Sequence, residues 1–306
     1  MVRIVVVGDA MVDDYRYLSR SRRRDPNSRD GEVIYNDRGE FNRRTLGGAA
    51  AVAYLIRAAY RHDVRLVSSL GDDEEGRIAM ARLDAADIDT CLYRQGQTTR
   101  KTRFVQLSDS DERPEQVWTS RIDRDSQVRL PYVERHRLGD ALLSADLIVV
   151  VDHAKGLMRS LLPALQRATS PILVDPSAVG SWADYGRVDL IKATRAELAD
   201  RVPERYAMQG ATAHINAVRH LAANWIVTAG AHGLYYSQPN GDVIHHPAHP
   251  VDSIVDTGGC GDTVMACAAV GWIHGVSMPI ICQRATRAAA LQATHVGVSP
   301  EVMVEA

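Results

Sequence analysis

A glycine-rich stretch that ends in a carboxylate, from Thr257 to Asp262, is the part of the sequence best suited to chemistry. It leads into a long apolar, alanine-rich run, which predicts a helix over 261–273. Because glycine permits a tight turn, the first N–H groups of this helix and the positive end of its dipole are predicted to form an anion site. A carboxylate beside such a site can take a proton from a hydroxyl that attacks a phosphoryl group. The stretch therefore predicts phosphoryl transfer, with Asp262 as general base and an anion site at Gly259, Cys260 and Gly261.

The rest of the chain predicts the scaffold that must hold this helix. Apolar runs typical of buried strands alternate with helical patterns, which indicates a parallel sheet covered on both faces. Two later strands, joined by a Pro-Asn-Gly turn, are predicted to be antiparallel. The predicted strands are 3–7, 64–69, 146–151, 171–174, 189–192, 225–228, 233–237 and 242–246; the predicted helices are 49–60, 74–86, 132–143, 158–168, 212–223, 261–273 and 278–295.

Composition and charge exclude several classes of protein. The 306 residues are 45% hydrophobic and 24% charged, as expected of a globular protein with one large or two small domains. The formal net charge of −2 argues against bulk attraction to nucleic acid or to an anionic membrane. The four cysteines lack metal-ligand spacing, the first apolar run is too short for a signal peptide, and no run reaches membrane-spanning length. These features predict a cytoplasmic enzyme with reduced thiols.

The stretch from Asp256 to Asp262 reads Asp-Thr-Gly-Gly-Cys-Gly-Asp. It resembles the C-terminal signature of the ribokinase (PfkB) family of carbohydrate kinases, usually Asp-Thr-x-Gly-Ala-Gly-Asp. Cys260 stands where that family usually has alanine. Both residues are small and the anion site is built from backbone amides, so the site is expected to survive the change. Spacing alone leaves a purely structural turn as an equal alternative.

Two polar segments, 14–45 and 93–123, interrupt the alternation of strands and helices. The first is rich in arginine, and together they contain strand-like runs at 32–35, 99–107 and 116–122. The resemblance implies a single kinase domain over 1–306, with a ribokinase-like three-layer α/β core, a mostly parallel central sheet and these segments as a small β-sheet lid over the sugar site. Such a lid excludes water from the reaction. From the residues alone, ordinary surface insertions remain the alternative.

Acidic residues and glycines near the first strand predict a sugar site. Asp9 and Asp13 follow that strand, and ligands of open α/β sheets bind beyond the carboxyl ends of strands. The resemblance implies that Asp13 holds sugar hydroxyls, whereas a turn cap explains Asp9 equally well. Gly47 and Gly48 resemble part of the family's N-terminal signature, which lets a sugar approach the backbone closely. The chain departs from that signature at Ala51, where many relatives have asparagine.

Four runs in the middle of the chain, 99–105, 121–123, 151–156 and 174–176, resemble in order a branch of the family that phosphorylates D-glycero-D-manno-heptose 7-phosphate at its anomeric hydroxyl. A substrate that already bears a phosphate needs cations, and arginine donates bidentately to phosphate. For any one arginine, a solvated surface charge remains the alternative. The substrate-binding residues predicted in these runs are Lys101, Arg103, Arg121, Asp152 and Lys155, to which the basic residues at 20–24 and 43–44 could add.

The resemblance also implies ATP as the phosphoryl donor. Thr194 and Glu197 match an Asn-x-x-Glu motif that holds magnesium through water, although a helix-surface glutamate is an equal alternative for Glu197. Magnesium keeps several of its waters and needs few direct protein ligands. The implied nucleotide-binding residues are Asp175, Thr194, Glu197, Thr228, Gly230, Gly233 and Arg287. Glu197 is the implied magnesium residue, and a monovalent cation is left open.

These patterns together predict an ATP-dependent kinase that phosphorylates the anomeric hydroxyl of a heptose 7-phosphate in ADP-heptose biosynthesis. Differences from the family at Ala51, Ser177, Thr194 and Arg287 leave two alternatives: a kinase of another sugar, sugar phosphate or nucleoside, and a sugar-phosphate or nucleotide binder without catalysis. A homodimer through the lid is expected, whereas nucleic-acid and membrane partners are not. Because the chain ends at Ala306, we expect any later nucleotidyl transfer to need a separate protein.

Overall fold

The computed structural model describes residues 2–20, 35–60, 63–94, 96–107, 116–203 and 209–305. These residues form two sheets. The strands are β1 (Arg3–Gly8), β2 (Ala10–Arg20), β3 (Tyr35–Asp37), β4 (Arg43–Gly48), β5 (Asp63–Leu70), β6 (Asp89–Arg94), β7 (Thr99–Leu107), β8 (Gln116–Arg124), β9 (Leu147–Val151), β10 (Ile172–Asp175), β11 (Leu190–Thr194), β12 (Asn224–Thr228), β13 (Leu234–Ser237) and β14 (Ile244–His246).

The larger sheet has nine strands in the order β14-β13-β12-β11-β10-β9-β1-β5-β6. Every pairing from β12 to β6 is parallel, and β13 and β14 are added antiparallel at one edge. The carboxyl ends of β1, β9, β10, β11 and β12 therefore share one edge, where ligands of such sheets bind.

Helices cover both faces of the larger sheet, which makes three layers. Along β1, Ile4 and Val6 pack on one face and Val5 and Val7 on the other, because successive side chains of a strand alternate. Helices α1, α2, α7, α8 and α9 pack on the first face, and α3 to α6 on the second. Their bounds are α1 (Ala49–Tyr60), α2 (Glu74–Ala85), α3 (Tyr132–Leu142), α4 (Leu157–Leu165), α5 (Arg195–Ala199), α6 (Ala211–Val218), α7 (Cys260–Ile273), α8 (Met278–Gln292) and α9 (Glu301–Glu305). Of the helices described, none is both long and apolar enough to cross a membrane.

The smaller sheet has five strands, in the order β3-β2-β7-β8 with β4 paired to the first half of β2. It leaves the larger sheet at the carboxyl end of β1, since only Asp9 separates β1 from β2. Strand β4 leads directly into α1. The predicted combination of a large, mostly parallel sheet with a small second sheet is confirmed. The small sheet begins at Ala10 and includes β4, so it extends beyond the predicted segment 14–45 at both ends.

Sequence patterns missed β2 as a continuous strand, β4, β6, α5 and α9. Asp14 of β2 is buried, which breaks the expected alternation, and its carboxylate lies 3.0 Å from Arg16 Nε and 3.5 Å from Arg44 Nε. Strand β6 lies at the edge of the larger sheet and is only half-buried. Of the predicted strand at 32–35 only Tyr35 falls within the described residues, and the basic positions 21–24 fall outside them.

Candidate active site

Helix α7 begins in the glycine-rich stretch, as predicted. Its N-cap is Gly259, whose φ of 80° lies in the left-handed region that glycine adopts without strain. A Cβ at this position would stand 2.8 Å from Val298 Cγ2, so larger residues are excluded by space as well. Within the described part of the chain, the backbone N–H groups of Gly261 and Asp262 have no hydrogen-bond acceptor. Two open donors at the N-terminus of a 14-residue helix can receive an anion.

The carboxylate of Asp256 fixes the glycine-rich stretch before α7 through three hydrogen bonds. Its Oδ1 accepts a hydrogen bond from Gly258 N (2.8 Å), and its Oδ2 accepts from Gly297 N (3.1 Å) and from the hydroxyl of Tyr15 (2.7 Å). Asp256 is buried, and Tyr15 belongs to β2 of the smaller sheet. The shape of the anion site is therefore coupled directly to the strand that leads into the lid-like sheet.

Asp262 lies in the first turn of α7 and is half-buried. Burial raises the pKa of its carboxyl to about 7; Lys192 opposes this rise, Asp175 and Asp13 reinforce it, and Lys101 opposes it. A carboxylate with a pKa near neutrality can accept and release a proton at physiological pH. The predicted general base thus has suitable acidity, and carboxylates and lysines from four other elements (β2, β7, β10 and β11) act on it.

Lys192 is a residue of the site that the sequence analysis missed. Its ammonium lies 2.6 Å from Asp175 Oδ2, and the side chain is 4% exposed. A Cβ on Gly261 would stand 3.0 Å from Lys192 Nζ, so this charge lies directly beside the open amides of α7. Burial opposes the charged form, but Asp175, Asp262 and Glu197 raise the pKa of Lys192 above its ordinary value. The only sequence signal is a lysine inside an otherwise apolar strand, at 190–194.

A polar cavity of about 520 Å³ opens on the Asp262 side of the α7 N-terminus. Its walls come from the carboxyl ends of β9, β10 and β11 and from the first turn of α7. It brings together Asp152, Lys155, Asp175, Glu197, Gly261 and Asp262 of the predicted site, and adds Asp125, Gln127, His153 and Lys192. This is an environment for a charged, hydroxylated ligand.

A larger and less polar cavity, of about 880 Å³, lies on the other side of the same helix end. Its walls come from β11 and β12, from the turn after β12, and from α7 and α8. Of the predicted residues it is lined by Thr194, Thr228, Gly230, Gly233, Cys260 and Gly261. Gly261 lines both cavities, so the open amides of α7 lie where the two meet.

Arg287 is not brought to this cavity. It lies on the exposed face of α8, whereas Thr286, Ala289, Ala290 and Ala293 line the wall. Helix geometry explains the difference, because residues three, four and seven positions apart share a face of an α-helix. The sequence comparison placed Arg287 in the right helix but could not assign its face.

Asp9 performs the structural role that the sequence left open. Its Oδ2 accepts hydrogen bonds from His153 N (2.9 Å) and Lys155 N (3.1 Å), which clamps the turn after β9. Burial raises the pKa of Asp9 to about 7, with a further contribution from Asp152. The buried Oδ1 has no hydrogen-bond partner among the described residues. Asp9 thus fixes the turn that carries His153 and Lys155, which line the polar cavity, but does not line the cavity itself.

The other predicted substrate residues gather at the base of the smaller sheet. Asp13 Oδ1 accepts from Arg103 Nε at 3.1 Å, and Lys101 pairs with Asp13 across β2 and β7. A Cβ on Gly47 would stand 2.5 Å from Asp13 Oδ2, so only glycine leaves this carboxylate its room. Arg121 lies opposite Arg103 on β8, but its side chain is 51% exposed and paired with Asp123 at 2.9 Å.

Two further predicted residues are already partnered. Lys155 Nζ lies 2.6 Å from Asp125 Oδ2 at the rim of the polar cavity. Glu197 forms a capping box with Thr194, since its Oε2 accepts from Thr194 N (2.7 Å) and Thr194 Oγ1 (2.8 Å). Glu197 still lines the polar cavity. No group of three or more His, Cys, Asp or Glu side chains arranged to hold a metal ion occurs among the residues described.

Comparison with known proteins identifies the family. The family model described as "pfkB family carbohydrate kinase" matches residues 1–303. Bifunctional protein HldE of Bradyrhizobium diazoefficiens is 28% identical over 308 residues, and the protein of the same name from Rhodopseudomonas palustris strain BisB18 is 30% identical over 321 residues. The alignments cover 96% and 99% of this chain but 60% and 62% of those proteins. The chain thus spans about three fifths of the length of the curated relatives it matches.

Solved structures agree on the fold. A ribokinase from Thermotoga maritima has a TM-score of 0.74 at 18% identity, covering 99% of this chain and 98% of that one. The tetrameric inhibited form of phosphofructokinase-2 from Escherichia coli has a TM-score of 0.73 at 16% identity, covering 100% of this chain and 98% of that one. Arabidopsis thaliana ribokinase complexed with ribose and ATP has a TM-score of 0.70 at 18% identity, covering 100% of this chain and 98% of that one. These likenesses confirm the predicted ribokinase-like fold. Since the family model also matches nearly the whole chain, this protein belongs to the pfkB family of carbohydrate kinases.

Proposed function

We propose that this protein transfers the γ-phosphoryl group of ATP to a hydroxyl of a phosphorylated sugar, and specifically to the anomeric hydroxyl of a heptose 7-phosphate. The observation that carries the proposal is the meeting of two unlike cavities at the α7 N-terminus. The larger, apolar one suits a nucleotide base and ribose, whereas the polar one holds Asp262 and suits a sugar. A phosphoryl group that passes from one to the other must cross the open amides of Gly261 and Asp262.

Each step of the proposed transfer is assigned to a group of the candidate site. The acceptor hydroxyl lies in the polar cavity and gives its proton to Asp262 as the new P–O bond forms and the bond to the departing ADP oxygen breaks. The open amides of α7 and the ammonium of Lys192 stabilise the negative charge on the transferring group. Because Lys192 is held by Asp175, its charge is positioned before the reaction begins.

Magnesium fits the polar cavity only as a water-retaining ion on the nucleotide. The residues described offer no ready-made cage, and one oxygen of Glu197 is engaged by Thr194. Magnesium is commonly held by one or two carboxylates together with substrate phosphates. Glu197 and Asp175 are the residues that would hold it, and the ion would neutralise charge on the phosphates.

The choice of a phosphorylated acceptor is supported by the cations at the base of the smaller sheet. Lys101 and Arg103, on β7, lie beside Asp13. Lys101 and Asp13 are near enough to Asp262 to affect the pKa of its carboxyl. The heptose assignment itself rests on the resemblance of the runs 99–105, 121–123, 151–156 and 174–176 to the heptose 7-phosphate kinases of the family. The homodimer through the smaller sheet and a cytoplasmic location stay predictions.

A coupled ADP-release assay tests the proposed function. The purified chain with ATP and Mg²⁺ is offered heptose 7-phosphates, hexose phosphates, free sugars and nucleosides. We expect the highest kcat/KM with a heptose 7-phosphate. A preference for an unphosphorylated sugar or a nucleoside would instead support another kinase of the family. Tight binding of ATP or a sugar phosphate without ADP release on any acceptor would support a binder without catalysis.

Removing the cations beside Asp13 is expected to weaken acceptor binding selectively. Lys101→Ala and Arg103→Ala should each raise KM for the phosphorylated sugar by about 10- to 100-fold, because a hydrogen bond to a charged group contributes about 1.5–3 kcal/mol. KM for ATP should change by less than about twofold, since neither residue lines the apolar cavity. Steady-state kinetics with each substrate varied measures both. Arg121→Ala is the matched control, because its half-exposed, Asp123-paired side chain predicts a smaller effect. Equal increases in KM for both substrates would indicate a structural role.

A further inference from the structure

His153 occupies a position in the polar cavity that the proposed mechanism does not yet use. It is the second residue after β9, and its backbone N–H donates a hydrogen bond to Asp9 Oδ2 at 2.9 Å. The same oxygen holds Lys155 N, and Ala154 between them has a φ of 62°. The turn is therefore fixed from two sides, and the imidazole is presented to the cavity by a rigid backbone.

The imidazole lies between the backbone of Gly48 and the cavity that contains Asp262. Its Cδ2 stands 3.1 Å from the point that a Cβ on Gly48 would occupy, so the ring rests against glycine on that side. Its neighbours in the turn have partners: Asp152 accepts from Tyr185 Oη and Ala154 N, each at 2.8 Å, and Lys155 is paired with Asp125. No described residue donates to or accepts from either ring nitrogen of His153. The ring is thus a half-buried polar group whose hydrogen bonds are left for a ligand.

The charges around the ring decide which ligand group it suits. Burial lowers the pKa of His153, as do Lys101, Lys192 and Lys155, and Glu197 opposes them, with a net pKa of about 3. The ring is therefore neutral at physiological pH, with one nitrogen as donor and the other as acceptor. A phosphate is an anion and would bind the ammonium groups of the three lysines more strongly than a neutral imidazole. A sugar hydroxyl, which both donates and accepts, matches a neutral imidazole.

We propose that His153 hydrogen-bonds a hydroxyl of the acceptor sugar other than the one that is phosphorylated, and that this contact selects the acceptor. The proposal rests on the proposed function, since it takes the polar cavity as the acceptor site. It makes His153 a specificity-determining residue: the ring reads the position of one hydroxyl while Asp262 receives the proton of another. A site with a built hydrogen-bonding group discriminates strongly against analogues that lack the matching hydroxyl.

The test pairs two variants with a set of monodeoxy acceptors. His153→Phe keeps a flat ring without nitrogens, and His153→Gln keeps hydrogen-bonding capacity without the ring. Against the preferred acceptor, His153→Phe is expected to lose about 10-fold or more in kcat/KM, and His153→Gln less. With the wild-type enzyme, kcat/KM should be lower by a similar factor for the one monodeoxy acceptor that lacks the hydroxyl bound by His153. For that acceptor, His153→Phe should cause no further decrease in kcat/KM. KM for ATP should stay within about twofold, and His220→Phe, which changes an exposed histidine, is the matched control.

The outcomes separate this proposal from the proposed function. If the wild-type enzyme phosphorylates no acceptor, the proposed function is wrong and the role of His153 as an acceptor contact is wrong with it. If the wild type is active but His153→Phe loses the same factor on every acceptor, including all monodeoxy ones, only the role of His153 is overturned. The same holds if KM for ATP rises as much as KM for the acceptor. Thermal melting of both variants checks that any loss does not come from unfolding.

Discussion

Asp262→Asn is expected to lower turnover by about 10²- to 10⁴-fold, the usual contribution of a positioned general base. Asparagine has nearly the same size but cannot accept the proton of the attacking hydroxyl. The variant should fold normally, because burial already disfavours the charged form of Asp262 and the substitution removes that charge. KM for ATP should change little, since Asp262 lies on the polar side of α7 and not in the apolar cavity.

The pH dependence of kcat/KM provides an independent readout of the same group. A base works only when deprotonated, and the pKa of Asp262 is raised to about 7. Activity of the wild type should therefore fall about tenfold per pH unit below 7 and level off above it. The pKa of Asp9 is also raised to about 7, so the wild-type profile alone does not distinguish the two groups. If the decrease in activity below pH 7 is absent in Asp262→Asn, that decrease belongs to Asp262. Near-normal turnover in the variant would show that Asp262 is not the base.

Lys192→Met is expected to lower kcat by about 10²- to 10³-fold, comparable to the loss of one donor that stabilises transition-state charge. Methionine keeps the length and apolar stem of the side chain but leaves Asp175 without its partner at 2.6 Å. It also removes the positive charge beside the open amides of α7, where the transferring group passes. Single-turnover measurements with saturating ATP and acceptor would show the loss in the chemical step.

A purely structural role for Lys192 makes a different prediction. Breaking a buried ion pair costs about 3–5 kcal/mol, so a stability loss alone would appear in thermal melting. Removal of Lys192 also takes away a charge that lowers the pKa of Asp262, so the acidic limb of the pH profile should move above pH 7. Lys192→Arg keeps the charge and should leave that limb near pH 7. If Lys192→Met retains wild-type kcat and an unshifted limb, Lys192 has no part in the transfer.

Much of the core could be predicted from the sequence because its signals are local. A buried parallel strand needs a continuous apolar run and its helix needs a periodic one, so β1, β5, β9 and most helices were placed within a few residues. The start of α7 was equally predictable, since glycine adopts the left-handed φ of Gly259 without strain. Strand β2 was missed, because Asp14 is buried against arginines that come from other positions in the smaller sheet.

The sequence by itself thus determined the fold class, through local apolar patterns, and the glycine turn that begins α7 with Asp262 in its first turn, through backbone geometry within a few residues. The tertiary structure alone decided which distant groups surround that carboxylate. Lys192 meets Asp175 because β10 and β11 are parallel neighbours, and Tyr15 reaches Asp256 across 241 positions of the chain. It also decided that Arg287 faces solvent and that Gly261 borders two cavities. Such contacts depend on strand order, register and helix rotation, and a local pattern of residue types contains no information about these.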